Sequence, residues 1–330
     1  MKHLTILLPD GQNNLATVSC IAGAYDIFTE ANAYRKATDS REIFKIELAG
    51  ASEKSDVNNG LITLHPQTHI SASPKSDLVI IPASSIRNYE NASKGNRQII
   101  DWVAKQYKLG AEIATMCTGA FTLACTGLLD GKHCSTHWSA ADIFRNLFPN
   151  VNLQTDKVIT DENGIYTNGG AYSFLNLMIY LVEKHYDRQT AVYCSKIFEI
   201  EIDRQSQSAF TIFYGQKHHE DDVVKKAQEY IEGNLHEKIS IEELSSRFAV
   251  SRRNFDRRFV KATGNSPLEY SQRVKIEYAK KALETCRKTI NEVMYEVGYS
   301  DVKAFREVFR KITGISPLEY KSRYNKEAMV

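Results

Sequence analysis

The chain has 330 residues, 42% of them apolar and 25% charged, with only seven prolines, which excludes a single small module, a disordered chain and a collagen-like one. Its formal net charge of +2 hides an asymmetry: residues 221–330 hold 22 Lys and Arg against 17 Asp and Glu, leaving 20 against 23 for residues 1–220. A basic last third permits a nucleic-acid partner without requiring one.

The first residues lead straight into Leu4-Thr5-Ile6-Leu7-Leu8, which reads as a buried strand and not as a signal peptide with a cleavage site. No apolar run approaches the roughly 18 residues of a membrane helix. Six cysteines without a CxxC pair give neither a disulfide framework nor zinc-ribbon spacing. A cytoplasmic chain is expected, with no membrane, metal or cofactor.

Up to about residue 185, short apolar runs alternate with helical patterns. Strands are expected at Leu4 to Leu8, Phe44 to Leu48, Asp77 to Ile81 and Glu112 to Met116, several of them apolar throughout, as strands covered on both faces must be. Helical periodicity marks Ser19 to Tyr34, Arg97 to Tyr107, Gly119 to Leu129, Thr136 to Leu147 and Tyr172 to Lys184. This predicts an α/β sandwich, flavodoxin-like with a mostly parallel sheet, over 1–202. Residues 203–222 mix polar residues with Phe210, Ile212 and Phe213 and read as a partly docked linker. An all-α domain is expected over 223–330.

Within the first domain, Glu112 to Phe121 is an apolar strand that turns sharply at Cys117 into a helix. At such an elbow the helix N-terminus lowers a thiol pKa, so Cys117 is the thiol placed to react, with His137 of Thr136-His137-Trp138 as a candidate base. On the residues alone, a buried structural thiol is the competing reading. Cys125, Cys134, Cys194 and Cys286 read as small core residues.

The helical third repeats itself. Phe255 to Arg273 reads FDRRFVKATGNSPLEYSQR and Phe305 to Arg323 reads FREVFRKITGISPLEYKSR, a period of 50, so one supersecondary unit occurs twice. Upstream of each lies an amphipathic helix ending in a small residue, LSSRFAVS at Leu244 to Ser251 and VMYEVGYS at Val293 to Ser300. That is the grammar of a helix-turn-helix: Ala249 or Gly298 makes the turn, Ser251 or Ser300 with Asp301 caps the next helix, and Phe255, Phe259, Phe305 and Phe309 bury it. Facing outward are Arg252, Arg253, Asp256 and Arg257 in the first copy, and Val302, Lys303, Arg306 and Glu307 in the second, positioned to reach base edges. Glu307 either accepts from a cytosine amino group or holds Arg306 or Arg310. Lys261 and Lys311, with Arg273 and Arg323, recur at equivalent places and suit phosphates. Two such helices on a rigid connector would enter successive major grooves roughly 34 Å apart.

On these motifs, VGYSD at Val297 to Asp301 and FRKITGISPLEY at Phe309 to Tyr320 among them, residues 223–325 resemble the DNA-binding domain of the AraC/XylS family of transcription regulators, in which a long helix, here Ser266 to Thr285, joins two helix-turn-helix units. CTGAFTLACTGLLDGKHCSTHW at Cys117 to Trp138, GAYDIF at Gly23 to Phe28 and the Gly169-Gly170 turn are similar to the ThiJ/PfpI group of the class I glutamine amidotransferase-like superfamily, fused to such a reader in the GlxA-like regulators. In enzymes of that superfamily the elbow Cys works with a His and an acid from the first helix region. Here the acid position falls on Cys20, and the glycines usual after the third strand are replaced by Ala83-Ser84. The resemblance therefore implies a kept fold with lost chemistry. Cys20, Ser84, Cys117, Thr118, His137, Asn168 and Gly169 would line a pocket for a small-molecule effector, an amino acid or an amine. The implied whole is a non-enzymatic, ligand-responsive homodimer reading a double-stranded DNA operator. Three alternatives stay open: a Cys-dependent hydrolase or amidotransferase-like enzyme whose acid is Asp10, Asp26 or Glu30, a redox or soft-metal switch built on Cys20, Cys117 and His137, and a silent fold remnant used only for dimerisation.

Overall fold

The computed structural model describes all residues except 11–12, 40, 86–95, 203, 218, 238, 286 and 326–330, so Cys286 lies outside the described residues. Two compact units divide between Gln207 and Ser208.

The first unit is built on a seven-stranded sheet. Its strands are β1 (Lys2–Leu8), β2 (Phe44–Gly50), β3 (Thr68–His69), β4 (Leu78–Ile81), β5 (Glu112–Thr115), β6 (Ile159–Glu162) and β7 (Ile165–Asn168), in the order β6-β7-β5-β4-β1-β2-β3. All pairings are parallel except β6 with β7. The apolar runs are apolar because both faces are covered: along β1, Leu4, Ile6 and Leu8 enter one core and Leu7 the other. On the first face lie α1 (Leu15–Asp39), α5 (Phe174–His185) and α6 (Arg188–Ile197). On the second lie α2 (Arg97–Lys108), α3 (Gly119–Ala124) and α4 (Ala141–Leu147). The four expected strands and five expected helices are present. Helix α3 stops at Ala124, and Trp138–Ala140 forms a 3-10 turn before α4. Strands β6 and β7 and helix α6 carried no clear periodic signal.

The second unit is all helical: α7 (Asp222–Gly233), α8 (Ile241–Arg247), α9 (Arg252–Thr263), α10 (Pro267–Thr285), α11 (Ile290–Glu296), α12 (Val302–Thr313) and α13 (Pro317–Tyr324). The duplication seen in the sequence recurs as geometry. Thr263 Oγ1 donates to the Phe259 and Asn265 carbonyls, and Thr313 Oγ1 to those of Phe309 and Ile315. Gly264 and Gly314 end α9 and α12 with φ of 69° and 78°, the left-handed C-cap that glycine adopts without steric cost. Each copy keeps its own core, around Phe255, Phe259 and Tyr270 in one and Phe305, Phe309 and Tyr320 in the other, and α10 contributes to both. No helix among the described residues is long and apolar enough to cross a membrane.

Candidate functional site

In the first unit the chain leaves β5 through Met116 and reverses at Cys117, whose φ is +54°, a left-handed conformation that costs a non-glycine residue and persists only where its surroundings enforce it. The enforcement is visible next door. A Cβ on Gly119 would lie 2.6 Å from the Pro82 carbonyl oxygen and 2.7 Å from that of Ile81, so α3 starts pressed against the end of β4 and only glycine fits there. Thr118 fastens the same loop, donating from Oγ1 to the Ser84 carbonyl (2.6 Å) and accepting from the Ser84 N–H (3.1 Å).

The thiol of Cys117 is met by the backbone N–H groups of Ala171 and Thr118, which favour its thiolate, but burial outweighs them and pushes the thiol above its ordinary pKa. The expected lowering at the elbow is thus reversed: with only 8% of the residue exposed, the desolvation of a thiolate exceeds what two amides return. Cys20, 2% exposed, has the Ala83 N–H directed at its sulfur. Burial, with Cys117 as a lesser contributor, pushes its thiol up to about 12. Both cysteines are free thiols.

His137 occupies the N-cap of the 3-10 turn, where its Nδ1 accepts from the Ser139 N–H at 3.1 Å and lies 2.7 Å from the Ser139 hydroxyl. Burial pushes its pKa down, so the ring is neutral near pH 7. Its other edge lies against Gly170, where a Cβ would come within 2.4 Å of Cδ2. The Gly169-Gly170 turn leads into Ala171, held at φ +49°, which delivers the N–H facing Cys117.

The structure gathers the seven expected pocket residues into one region but gives them unequal parts. Ser84, Thr118 and His137 reach the surface, while Cys20, Asn168 and Gly169 are buried. Asn168 donates to the Val158 carbonyl, the Ser173 carbonyl and the Ser173 hydroxyl, so its amide secures the turn and offers a ligand no donor. Among the described residues, no hydrogen bond joins Cys117 to His137, and none joins either to a carboxylate. Of the candidate acids, Asp26 is exposed, Glu30 accepts from the Tyr193 hydroxyl (2.8 Å), and Asp10 is tied through its backbone to Asn96. Neither amide of the Ala83-Ser84 loop is left to hold an oxyanion, since one faces Cys20 and the other Thr118. The described residues hold no cluster of His, Cys, Asp and Glu suited to a metal ion.

Sequence reasoning missed Gln207, assigned to the linker. It is 1% exposed, and its carboxamide bonds the backbone on both sides of the site: Nε2 donates to the Thr136 carbonyl (3.0 Å) and Oε1 accepts from the Gly170 N–H (2.9 Å). The only hint was the Gly169-Gly170 pair, because a Cβ at Gly169 would strike the Gln207 amide at 2.8 Å.

In the second unit, α8 and α9 meet through Ala249 at φ +54°, and α11 and α12 through Gly298 at φ +72°. A Cβ on Gly298 would fall 2.6 Å from the His236 carbonyl oxygen, so that turn has no room for a side chain. Asp301 caps α12 by accepting from the Lys303 N–H at 2.8 Å. Ser251 stands at the N-cap of α9 without a side-chain cap bond. Arg253, Arg257 and Lys261 on α9, and Lys303, Arg306, Glu307, Arg310 and Lys311 on α12, are exposed. Val302 and Asp256 are half-buried, Val302 packed against the second core.

The two faces differ in how far their charges are already engaged. Arg252 pairs with both Glu242 and Asp256, the latter at 2.9 Å, and Arg257 donates to Asn254 Oδ1 at 3.1 Å. Arg258 makes a bidentate pair with Asp221 at 2.7 and 2.6 Å, which holds that carboxyl below its usual range. On α12, among the described residues, Lys303 and Arg306 make no ion pair, and Glu307 holds neither Arg306 nor Arg310.

Residues 244–323 match the helix-turn-helix domain family and residues 35–184 the DJ-1/PfpI family. The HTH-type transcriptional regulator GbdR of Pseudomonas aeruginosa (strain UCBPP-PA14) is 30% identical over 218 residues, 65% of this chain and 59% of that protein. The HTH-type transcriptional regulator GlxA of Rhizobium meliloti (strain 1021) is 23% identical over 209 residues, 62% of this chain and 63% of that protein. The chain thus spans about three fifths of the length of these relatives. A crystal structure of a THiJ/PfpI family protein from Pseudomonas syringae superposes with a TM-score of 0.50 at 18% identity, covering 62% of this chain and 76% of that one, a likeness of fold. The chain therefore joins a domain of the DJ-1/PfpI family to a helix-turn-helix domain of the AraC type.

Proposed function

We propose that the chain is a cytoplasmic, sequence-specific DNA-binding regulator of transcription, working as a homodimer, whose α/β unit binds a small-molecule effector and catalyses no reaction. The observation that carries this reading is the duplicated helix-turn-helix, with exposed Arg253 and Arg257 on one second helix and Lys303, Arg306 and Glu307 on the other. Those side chains have the reach for base edges in the major groove, the Arg and Lys groups as donors and Glu307 as an acceptor, while Lys261 and Lys311 suit phosphates and add no sequence preference. The regulators it resembles support the same reading.

For the first unit, a neutral His137 without an acid, a protonated Cys117 and amides already engaged at Ala83 and Ser84 leave nucleophilic catalysis without activation or an oxyanion site. The residues that reach the surface, Ser84, Thr118 and His137, suit a small polar ligand such as an amino acid or amine. The strained elbow at Cys117 favours a second reading, a Cys-dependent hydrolase carrying a DNA reader, which requires a reactive thiolate. Titration of the purified full chain against genomic duplexes with scrambled competitor tests the first reading: selective binding is expected, and equal binding to the scrambled competitor overturns it.

A further inference from the structure

We propose that Gln207 is a positioning residue that couples the Cys117–His137 region to the segment entering the helical unit, an inference that rests on the reading of the first unit as a ligand sensor. One buried carboxamide spans the two backbone strands that matter there. Thr136, whose carbonyl accepts from Gln207 Nε2, precedes His137. Gly170, whose N–H donates to Gln207 Oε1, precedes the Ala171 amide that faces the Cys117 sulfur. The His137 ring lies on Gly170. Residues 205–207 are themselves held, Gln207 N–H by the Asp156 carbonyl (3.0 Å), Ser206 by a bridge to Lys157, and the Gln205 carbonyl by the Val158 N–H (3.1 Å). A ligand that displaces His137 or Gly170 must therefore strain a buried amide whose groups have no water to turn to.

Within the second unit, the chain just beyond is held again. The Ala209 carbonyl accepts from the Tyr324 hydroxyl, the Thr211 carbonyl from Lys280 Nζ, and the Phe213 N–H donates to Glu277 Oε2 at 3.1 Å. Lys280 and Glu277 form a buried pair at 2.8 Å on α10. Along the chain, Ser208 follows Gln207 directly, and its carbonyl accepts from the Thr211 N–H (3.1 Å), so the anchors of the second unit begin at the next residue. With no unheld residue between them, a change at Gln207 is passed along the backbone to the anchors at Ala209 and Thr211.

Hydrogen–deuterium exchange on the full chain tests the coupling. Gln207→Met keeps the side-chain length and removes both hydrogen-bonding ends, so exchange should rise about tenfold or more at residues 168–171 and at 209–213 together. The double variant Glu277→Gln/Lys280→Met releases the far anchor without stranding a charge. Because coupling is reciprocal, it should speed exchange at 168–171, and it carries the test if Gln207→Met does not fold. Gln207→Glu can donate to Thr136 only when protonated, so its exchange at 209–213, taken as a ratio to wild type, should approach one as pH falls. If residues 168–171 respond while 209–213 keep their wild-type rates, or if the Gln207→Glu ratio is flat with pH, Gln207 is only a staple of the first unit and the coupling is overturned. Duplex binding is measured separately: a chain that shows the coupling but binds no DNA selectively would overturn the regulator reading and leave this inference standing.

Discussion

Cys117 shows how position and environment decide chemistry separately. The strand-to-helix elbow was legible in Met116-Cys117-Thr118-Gly119, because the apolar strand has to turn and the glycine admits the close approach to Pro82. Its protonation state was not, because burial comes from residues distant in sequence, among them the Ala171 loop and the Ala83 segment. With the thiol raised above its ordinary pKa, alkylation of Cys117 by iodoacetamide is expected to keep climbing with pH, with no plateau below about pH 8.5. Peptide-level mass spectrometry reads this directly, and a plateau near neutral pH would return the hydrolase reading to favour. Gln207 was illegible for the opposite reason: a polar residue in a polar stretch gives no periodic signal, and its burial depends on two glycines some forty positions upstream.

Among elements, the two helix-turn-helix copies were read almost to the residue, since a fifty-residue repeat of aromatic, Thr-Gly and Ser-Pro positions fixes both cores at once. What the pattern could not convey is that the turns differ in tolerance. Gly298→Ala would set a Cβ 2.6 Å from the His236 carbonyl oxygen at a positive φ, and a loss of about 2 kcal/mol or more is expected in denaturant unfolding. Ala249 already accepts the same conformation, so Ala249→Gly should be neutral or slightly stabilising. On the outward faces, Arg257→Ala is expected to cost about 1 to 3 kcal/mol of duplex affinity and relax base preference at one position. Lys311→Ala should weaken all sequences alike and reduce the salt slope by about one. Titrations against single-base variants at several salt concentrations separate the two, and a position-independent loss for Arg257→Ala would remove it from the readers.

For the molecule as a whole, the division into an α/β unit and a helical unit followed from the point where strand signals stop, whereas β6, β7 and α6 needed the tertiary context of a sheet edge and a second helical layer. The two units should also respond differently to acid. His137 and His185, both in the first unit, have pKa values lowered by burial. Their unfolded forms bind protons more readily than their folded forms, so stability is fully present above the ordinary value of about 6.5 and declines as pH falls through it. Both tryptophans, Trp102 and Trp138, belong to this unit, so tryptophan fluorescence follows its unfolding alone, and a midpoint lower at pH 5.5 than at pH 7.5 is expected. Equal midpoints would mean that the buried imidazoles carry no linkage.

The repeat is faithful inside and divergent outside: the same phenylalanines and threonines hold both copies, but Arg253 and Arg257 face out of one and Lys303, Arg306 and Glu307 out of the other. A stretch of duplex read by two unlike probes has a head and a tail. Inverting such a stretch in place would present each probe with the wrong letters, so one protomer of the proposed regulator would sit on its target with a fixed polarity, pointing one way along the chromosome.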